Sequence, residues 1–233
     1  MHTPTISYKR HRFPSQIIAH AIWLYVRFNL ILREVEELLV EGGIDVSYES
    51  IRRWTVKFGP QIVRYIRRRQ ARPRDVGHLD EVVMKTSGRS FSLWLTVDQH
   101  DVVLEEILQS KRDKQATKRL LISPIKRHGF VPKRIVIDKL RSYGAAKREV
   151  ALHVDHWFHE GLNNRAENSH LSFRKRERTM QGFRSPGGLQ RFVSIHSATR
   201  NRSAVRFRRR AALTILCHRM EAFDAWKAAA SIV

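Results

Sequence analysis

Three carboxylates sit where a strongly basic chain has least need of them: Asp80, Asp138 and Glu167. Asp80 stands inside the alternating run HLDEVVMKT, and a carboxylate at mid-strand is costly to bury unless a cation or donor meets it. Strand alternation sends the neighbouring Glu81 to the opposite face, so only one of the pair can face a site. Asp138 closes the apolar run RIVID, at the kind of C-terminal strand end where open α/β sheets bind ligands. Glu167 falls in GLNNRAENSH, on a helix expected after Asn163 and Asn164, with Leu171, Arg174 and Arg178 on its face. Two aspartates and a glutamate are hard oxygen donors suited to magnesium. Two such ions can activate water and stabilise the leaving oxygen of an in-line phosphoryl displacement. Spacing alone does not single out this set among 22 acids. Asp98, at the end of a second strand, and Asp113, at the start of a helix, stand as rivals. Their bland roles are a turn residue and a helix N-terminal charge.

To bring such groups together the chain needs a sheet and a helix, and the sequence predicts both. HLDEVVMKT, SFSLWLTVD and VVLEEILQS alternate like strands, with turn signals at Ser87–Gly88 and at Gln99 to Asp101, which predicts an antiparallel meander. A helix-like run follows, RDKQATKRLLISPIKRHG, in which Pro124 should kink or end the helix. The short strand RIVID, entered through Pro132, should then pair in parallel. Everything after about Ser142 reads as mainly helical, with basic runs at 174–178 and 206–210.

Upstream lies a helical module. Ser15 could cap a helix with Ile18, Ile22 and Tyr25 or Val26 inside. LREVEELLVEGG places Val35, Leu38 and Leu39 on one face and stops at Gly42–Gly43. A third helix from about Ser47 carries Ile51, Trp54 and Phe58 inward and Glu49, Arg52, Arg53 and Lys57 outward. That arrangement fits a helix-turn-helix whose Arg52, Arg53 and Lys57 meet DNA. The order predicts a module over 1–61, a basic linker over 62–75, an α/β core over 76–200 and a basic helical tail over 201–233.

Composition agrees with a nucleic-acid partner. Lys and Arg number 44 against 22 acids, a formal net charge of +22, and such an excess resists compaction unless a polyanion neutralises it. The single cysteine, Cys217, excludes an intrachain disulfide and a cysteine zinc cluster, and suits a reducing cytosol. The N-terminus has no apolar signal region, and IIAHAIWLYV is too short to span a bilayer, so no membrane partner is expected. His153, His156 and His159 recur every three residues, but with no cysteine nearby they read as helix or loop residues rather than zinc ligands. Lys139, Arg141 and Tyr143 follow the second aspartate, either as a solvated helix start or as contacts to DNA near the scissile phosphate. Arg174, Lys175, Arg176 and Arg178 are expected to hold phosphates, giving affinity without sequence reading.

Taken in order, HLDEVV, LWLTVDQHDVVLE, RDKQATKRLL, IDKLRSYGAAKRE, GLNNRAENSH and RKRERTMQGFRSPGGLQRF resemble bacterial insertion-sequence transposases of the DDE type. The likeness is nearest to the insertion sequence six family, and RFPSQIIAHAIWLYVRFNLILREVEELLVEGGIDVSYESIRRW resembles that family's helix-turn-helix. Gly77 stands where the family often has Trp, and Leu95–Thr96 where it often has Arg-Ala. The resemblance implies an RNase H-like, integrase-like core: a mixed sheet flanked by helices. It implies that Asp80, Asp138 and Glu167 hold two magnesium ions, with manganese as a substitute, and that Asn164 and Arg165 belong to the DNA-binding motif around the glutamate. The implied activity is cleavage and strand transfer of DNA, the partners being inverted-repeat ends and target DNA. A homodimer or higher assembly would bring the ends together, in the bacterial cytoplasm at the nucleoid. The rival readings are a catalytically silent DNA-binding derivative and an RNase H-like nuclease that does not join.

Overall fold

The computed structural model describes residues 6–69, 76–110, 118–119, 122, 133–137, 155–158, 164–203 and 211–231. By its internal contacts the chain divides into two units, Met1–Gln70 with Ser194–Val233, and Ala71–Val193.

The first unit is helical. Helix α1, Ser15–Arg27, buries Ile18, Ile22, Trp23 and Val26. Helix α2, Leu32–Glu41, buries Val35 and Leu39, and its first turn is closed by the Ile31 N–H donating to Glu34 Oε2 at 2.6 Å. The left-handed Gly43, φ 76°, ends the segment; a side chain there would be strained. Helix α3, Tyr48–Arg68, is capped by Ser47, whose Oγ accepts from the Ser50 N–H at 3.3 Å. Its buried residues Ile51, Trp54, Phe58, Ile62 and Ile66 recur every three or four positions, a continuous apolar stripe. Residues 62–68, expected as the start of a basic linker, continue this helix: Ile62, Val63 and Ile66 extend the buried stripe and the arginines occupy the other faces.

The C-terminus, expected as a basic helical tail, is helical over most of its described length. Residues 212–230 form a helix that packs in this same unit: Trp226, fully buried, donates its indole N–H to the Ala19 carbonyl of α1 at 2.8 Å. Its ring lies 5.6 Å from that of Trp23. The arginine-rich run 206–210 lies outside the described residues.

The second unit is built on a five-stranded sheet in the order β3-β2-β1-β4-β5. The strands are β1 Val76–Thr86, β2 Arg89–Asp98, β3 Val103–Gln109, β4 Arg134–Ile137 and β5 Asp155–Phe158. The first three pair antiparallel, as the alternation predicts; β4 joins β1 in parallel and β5 joins β4 in parallel. Three meandering strands followed by two parallel ones on the other side of β1 make the mixed sheet of the RNase H-like fold. Ser87 and Gly88, with φ of 50° and 72°, form the two-residue hairpin turn between β1 and β2. Leu93, Trp94, Leu95 and Val97 are buried whichever face they take, so β2 is covered on both sides.

Strand β5 is a difference, because its sequence DHWF lies in a stretch read as helical. Four residues carrying Asp and His show no strand alternation, and only the partner β4 makes the segment a strand. Helix α4, Asn164–Thr179, packs against β1 and β2. Helix α5, Pro186–Ser203, follows it, and α6, Ala212–Ala230, is the C-terminal helix already described. The outer strand β3 is protected by Gln190 of α5, whose amide accepts from the Leu108 N–H at 2.7 Å and donates to the Glu106 carbonyl at 3.1 Å. One side chain thereby stands in for a neighbouring strand and blunts the edge.

Candidate active site and nucleic-acid interface

Asp80 lies on the central strand β1, opposite Leu95 of β2. The residue before it, Leu79, pairs with Ile137, the last residue of β4. Asp138 follows Ile137 in sequence and lies outside the described residues, as do Asp113, Lys139, Arg141, Tyr143, His153 and His159. The pairing nonetheless fixes the register of the two central strands up to the residues preceding both aspartates. Glu167 belongs to α4 and stands one turn before His170 and two turns before Arg174. His170 is buried, and the Arg174 guanidinium donates to the Val83 carbonyl of β1 at 2.6 Å. Position 167 lies three and seven residues before these two on the same helix. The side chains of Asp80, Asn164, Arg165 and Glu167 are not among those described. Among the described residues no three His, Cys, Asp or Glu side chains converge as metal ligands.

The rival Asp98 has its carboxylate committed elsewhere. Oδ1 accepts from the His100 N–H at 2.8 Å and from the Val102 N–H at 3.0 Å, closing the turn from β2 to β3, and the residue is 3% exposed. Asp101 in that turn adopts φ 61°. Asp98 is thus a turn residue, the bland role foreseen for it.

The basic run on α4 separates into two kinds of residue. Lys175 and Arg178 are exposed and available to phosphate. Arg176 is a correction: it is 3% exposed, with its guanidinium carbon 5.4 Å from the centroid of Phe192, inside an aromatic group that includes Phe173 and Phe183. It stands three residues after the buried Phe173, so it shares the inward face of the helix. Arg174 binds the Val83 carbonyl and forms an ion pair with Glu177 at 2.9 Å, so it tethers α4 to β1.

In the helical unit, the predicted DNA face of α3 carries a preset arrangement. Glu49 Oε2 and Oε1 accept from Arg52 Nε at 2.7 Å and Nη2 at 2.8 Å, and Oε1 also accepts from Arg53 Nε at 2.9 Å. Hydrogen bonds from Arg52, then Arg53, hold the Glu49 carboxyl down at about 2. The Arg53 side chain is 74% exposed, with the far end of its guanidinium turned to solvent. Lys57, one turn further, donates from Nζ to His11 Nε2 at 2.9 Å. Desolvation, and then Lys57, lower the pKa of the His11 imidazole. Glu36 of α2 accepts from the Tyr48 N–H at 3.0 Å, fixing the start of α3 against its neighbour.

Reading the sequence alone missed the Glu49 clamp, the Glu36 cap and the Gln190 edge contact. The first had a usable signal, since Glu at i with Arg at i+3 and i+4 pairs on a helix. The other two join residues distant in sequence and leave no local pattern.

The sheet topology and the helix packed across it define a core of the RNase H-like class. The DDE domain family matches residues 75–205, more than half of the chain, and the chain belongs to that family. The likeness of its motifs to insertion-sequence transposases of the DDE type, nearest to the insertion sequence six family, is upheld. The chain is similar to the transposase for insertion sequence-like element IS431mec of Staphylococcus aureus strain N315. The two are 25% identical over 182 residues, covering 76% of this chain and 81% of the relative. The transposase for insertion sequence element IS257 in transposon Tn4003, also from Staphylococcus aureus, is 24% identical over the same span. Among solved structures, the catalytic core domain of BIV integrase aligns with 56% of this chain and 87% of its own, at 11% identity and a TM-score of 0.43. The Mos1 transposase catalytic domain, solved with raltegravir and Mg, aligns with 74% and 94%, at 11% identity and a TM-score of 0.39.

Proposed function

We propose that the chain binds the inverted-repeat ends of its element through α2 and α3 and cuts and joins DNA at Asp80, Asp138 and Glu167. The observation that carries this reading is the parallel pairing of Leu79 with Ile137. Leu79 and Ile137 are the residues before the two aspartates, and the helix that carries Glu167 packs against β1, which supports the reading.

The donor set is three hard carboxylates, which fits magnesium or manganese and not a soft-ligand metal. Two ions held there would supply the charge that lowers the pKa of a nucleophilic water and stabilises the departing oxygen. The chain's own residues do the rest. Asp80 and Asp138 offer oxygens from the sheet, and Glu167 offers its own from α4. Lys175 and Arg178, exposed further along α4, hold flanking phosphates; Asn164 and Arg165 begin the same helix. Lys139 and Arg141 follow the second aspartate and would contact DNA near the scissile bond. Arg52, Arg53 and Lys57 bind the element's end. Water attacks the phosphodiester first and releases a 3′-hydroxyl; that hydroxyl then attacks a target phosphodiester and expels a 3′-oxygen, without a covalent protein–DNA intermediate. Joining two ends requires at least a homodimer. No helix among the described residues is long and apolar enough to cross a membrane. The proposed work on DNA belongs in the bacterial cytoplasm, at the nucleoid.

The test is an in vitro assay with magnesium, a labelled duplex bearing the element's end and a plasmid target. Joined product from the wild type, lost on Asp138→Asn, is the expected result. Nicked ends that never join would favour a nuclease. No cleavage at all, with end-binding intact, would favour a silent DNA-binding derivative.

A further inference from the structure

The segment before α1 carries Lys9, Arg10 and Arg12, all exposed. It is not a loose arm. Tyr8 and His11 close a turn through the His11 N–H to the Tyr8 carbonyl at 3.2 Å. Inside it Arg10 adopts φ 64°, a left-handed conformation that strains a non-glycine residue. The flanks are seated firmly: the Tyr8 ring lies 4.6 Å from that of Phe58, and the Tyr8 hydroxyl donates to the Ala230 carbonyl at 3.0 Å. The His11 ring meets Phe58 edge-on at 5.0 Å, Phe13 meets Trp54 at 5.4 Å, and Ile6 is buried. Packed aromatics on both sides thus hold a strained turn whose tip is cationic. Strain kept by its surroundings is a common mark of a functional element.

Two further observations say what the turn faces. Lys57 of α3 donates to His11, so the turn abuts the face of α3 that carries Arg52 and Arg53. Among the described residues no acid forms an ion pair with Lys9, Arg10 or Arg12, whereas on α3 Glu49 engages two arginines. A cavity of about 700 Å³, lined by residues 7–9 and 11–15, opens beside these cations. Three exposed cations without acid partners, on a fixed backbone and flush with a DNA-facing helix, suit a polyanion presenting phosphates in a row.

We propose that this turn is a second phosphate-binding element, in which Lys9, Arg10 and Arg12, continuous with Lys57, grip the sugar-phosphate backbone of the duplex that α3 contacts. The inference rests on the reading of α3 as the end-binding helix. The turn's anchoring limits the ordering cost of the contact, and the His11 ring steadies Lys57. It would add affinity and register but no sequence reading.

The experiment measures binding of the full chain across a salt series to two duplexes, one carrying the DNA that flanks the coding sequence and one of unrelated sequence. In the triple variant Lys9→Ala, Arg10→Gly, Arg12→Ala, glycine keeps the left-handed turn. The slope of log K against log salt should then fall by about 2–3, close to 0.9 per phosphate released. Both duplexes should weaken alike, so their ratio stays put. The single variant Arg12→Ala lies outside the turn and should lower the slope by about one, which guards against a turn that fails to form. An unchanged slope, or weakening confined to the flanking-DNA duplex, overturns the proposal. Arg52→Ala with Arg53→Ala serves as the separate control. If that pair leaves both affinities unchanged while the turn variants weaken them, the reading of α3 fails and the turn's contact stands; if the pair weakens binding and the turn variants do not, the turn alone is refuted.

Discussion

Leu79 and Ile137 stand opposite one another in the parallel pairing of the two central strands, and each is the residue immediately before an aspartate. A slip of one residue in that pairing would turn every side chain of the shorter strand to the other face. The register is held by burial: Leu79, Ile135 and Val136 are each no more than 5% exposed. The apolar character of RIVI therefore does more than form a strand. It fixes the register of β4 beside β1 up to Ile137, the residue before the second aspartate.

Asp98 should behave as a structural carboxylate. Replacing it with alanine strands the His100 and Val102 amides and should cost about 2–3 kcal/mol, read as a lower denaturant midpoint at unchanged slope. Asp98→Asn, which keeps an acceptor at Oδ1, should lose much less. Metal affinity that fell with unfolding free energy unaltered would contradict this assignment.

The Glu49 clamp predicts a pH effect of definite sign. Its carboxyl is depressed to about 2 in the folded chain, so the stabilisation it gives is complete above the ordinary value of 4.5 and disappears as the pH falls from there through about 2. Following its side-chain carbon by NMR would show the low midpoint directly. Glu49→Gln releases two guanidinium groups from their acid, so binding to unrelated duplex should tighten and its salt dependence steepen. Weaker non-specific binding would count against the clamp.

Trp226 tests the placement of the C-terminal helix. Trp226→Ala empties a fully buried site and breaks the bond to Ala19, at a cost of about 3–5 kcal/mol. The amides of α1, some 200 positions earlier, should exchange with solvent faster, and end-binding should decline with them. Unaltered exchange in α1 would mean that the last helix is dispensable to the N-terminal unit.

The parts of the fold that were legible beforehand are those written locally. The meander shows in the alternation of β1 to β3 and in Ser87–Gly88, and α3 begins where Ser47 can cap it. What stayed hidden depends on partners far along the chain. DHWF becomes a strand only beside β4, and the packing of the expected basic helical tail shows only when Trp226 meets α1. RKRER reads as uniformly exposed although Arg176 turns inward beneath Phe192. The candidate acids came by a different logic: their strand and helix positions in a basic chain drew attention to Asp80, Asp138 and Glu167 without singling them out, and the family resemblance joined the three, while Asp98 needed its two amide contacts on view before it could be set aside.

The most direct test of the central claim is metal rescue of joining in cysteine variants. A thiolate is a softer donor than a carboxylate and disfavours magnesium more than manganese. Asp80→Cys and Asp138→Cys should therefore lose joining by roughly a hundred- to a thousand-fold in magnesium, and regain a measurable part of it in manganese. Variants that join DNA in magnesium as well as the wild type would contradict the assignment of these two aspartates as metal ligands.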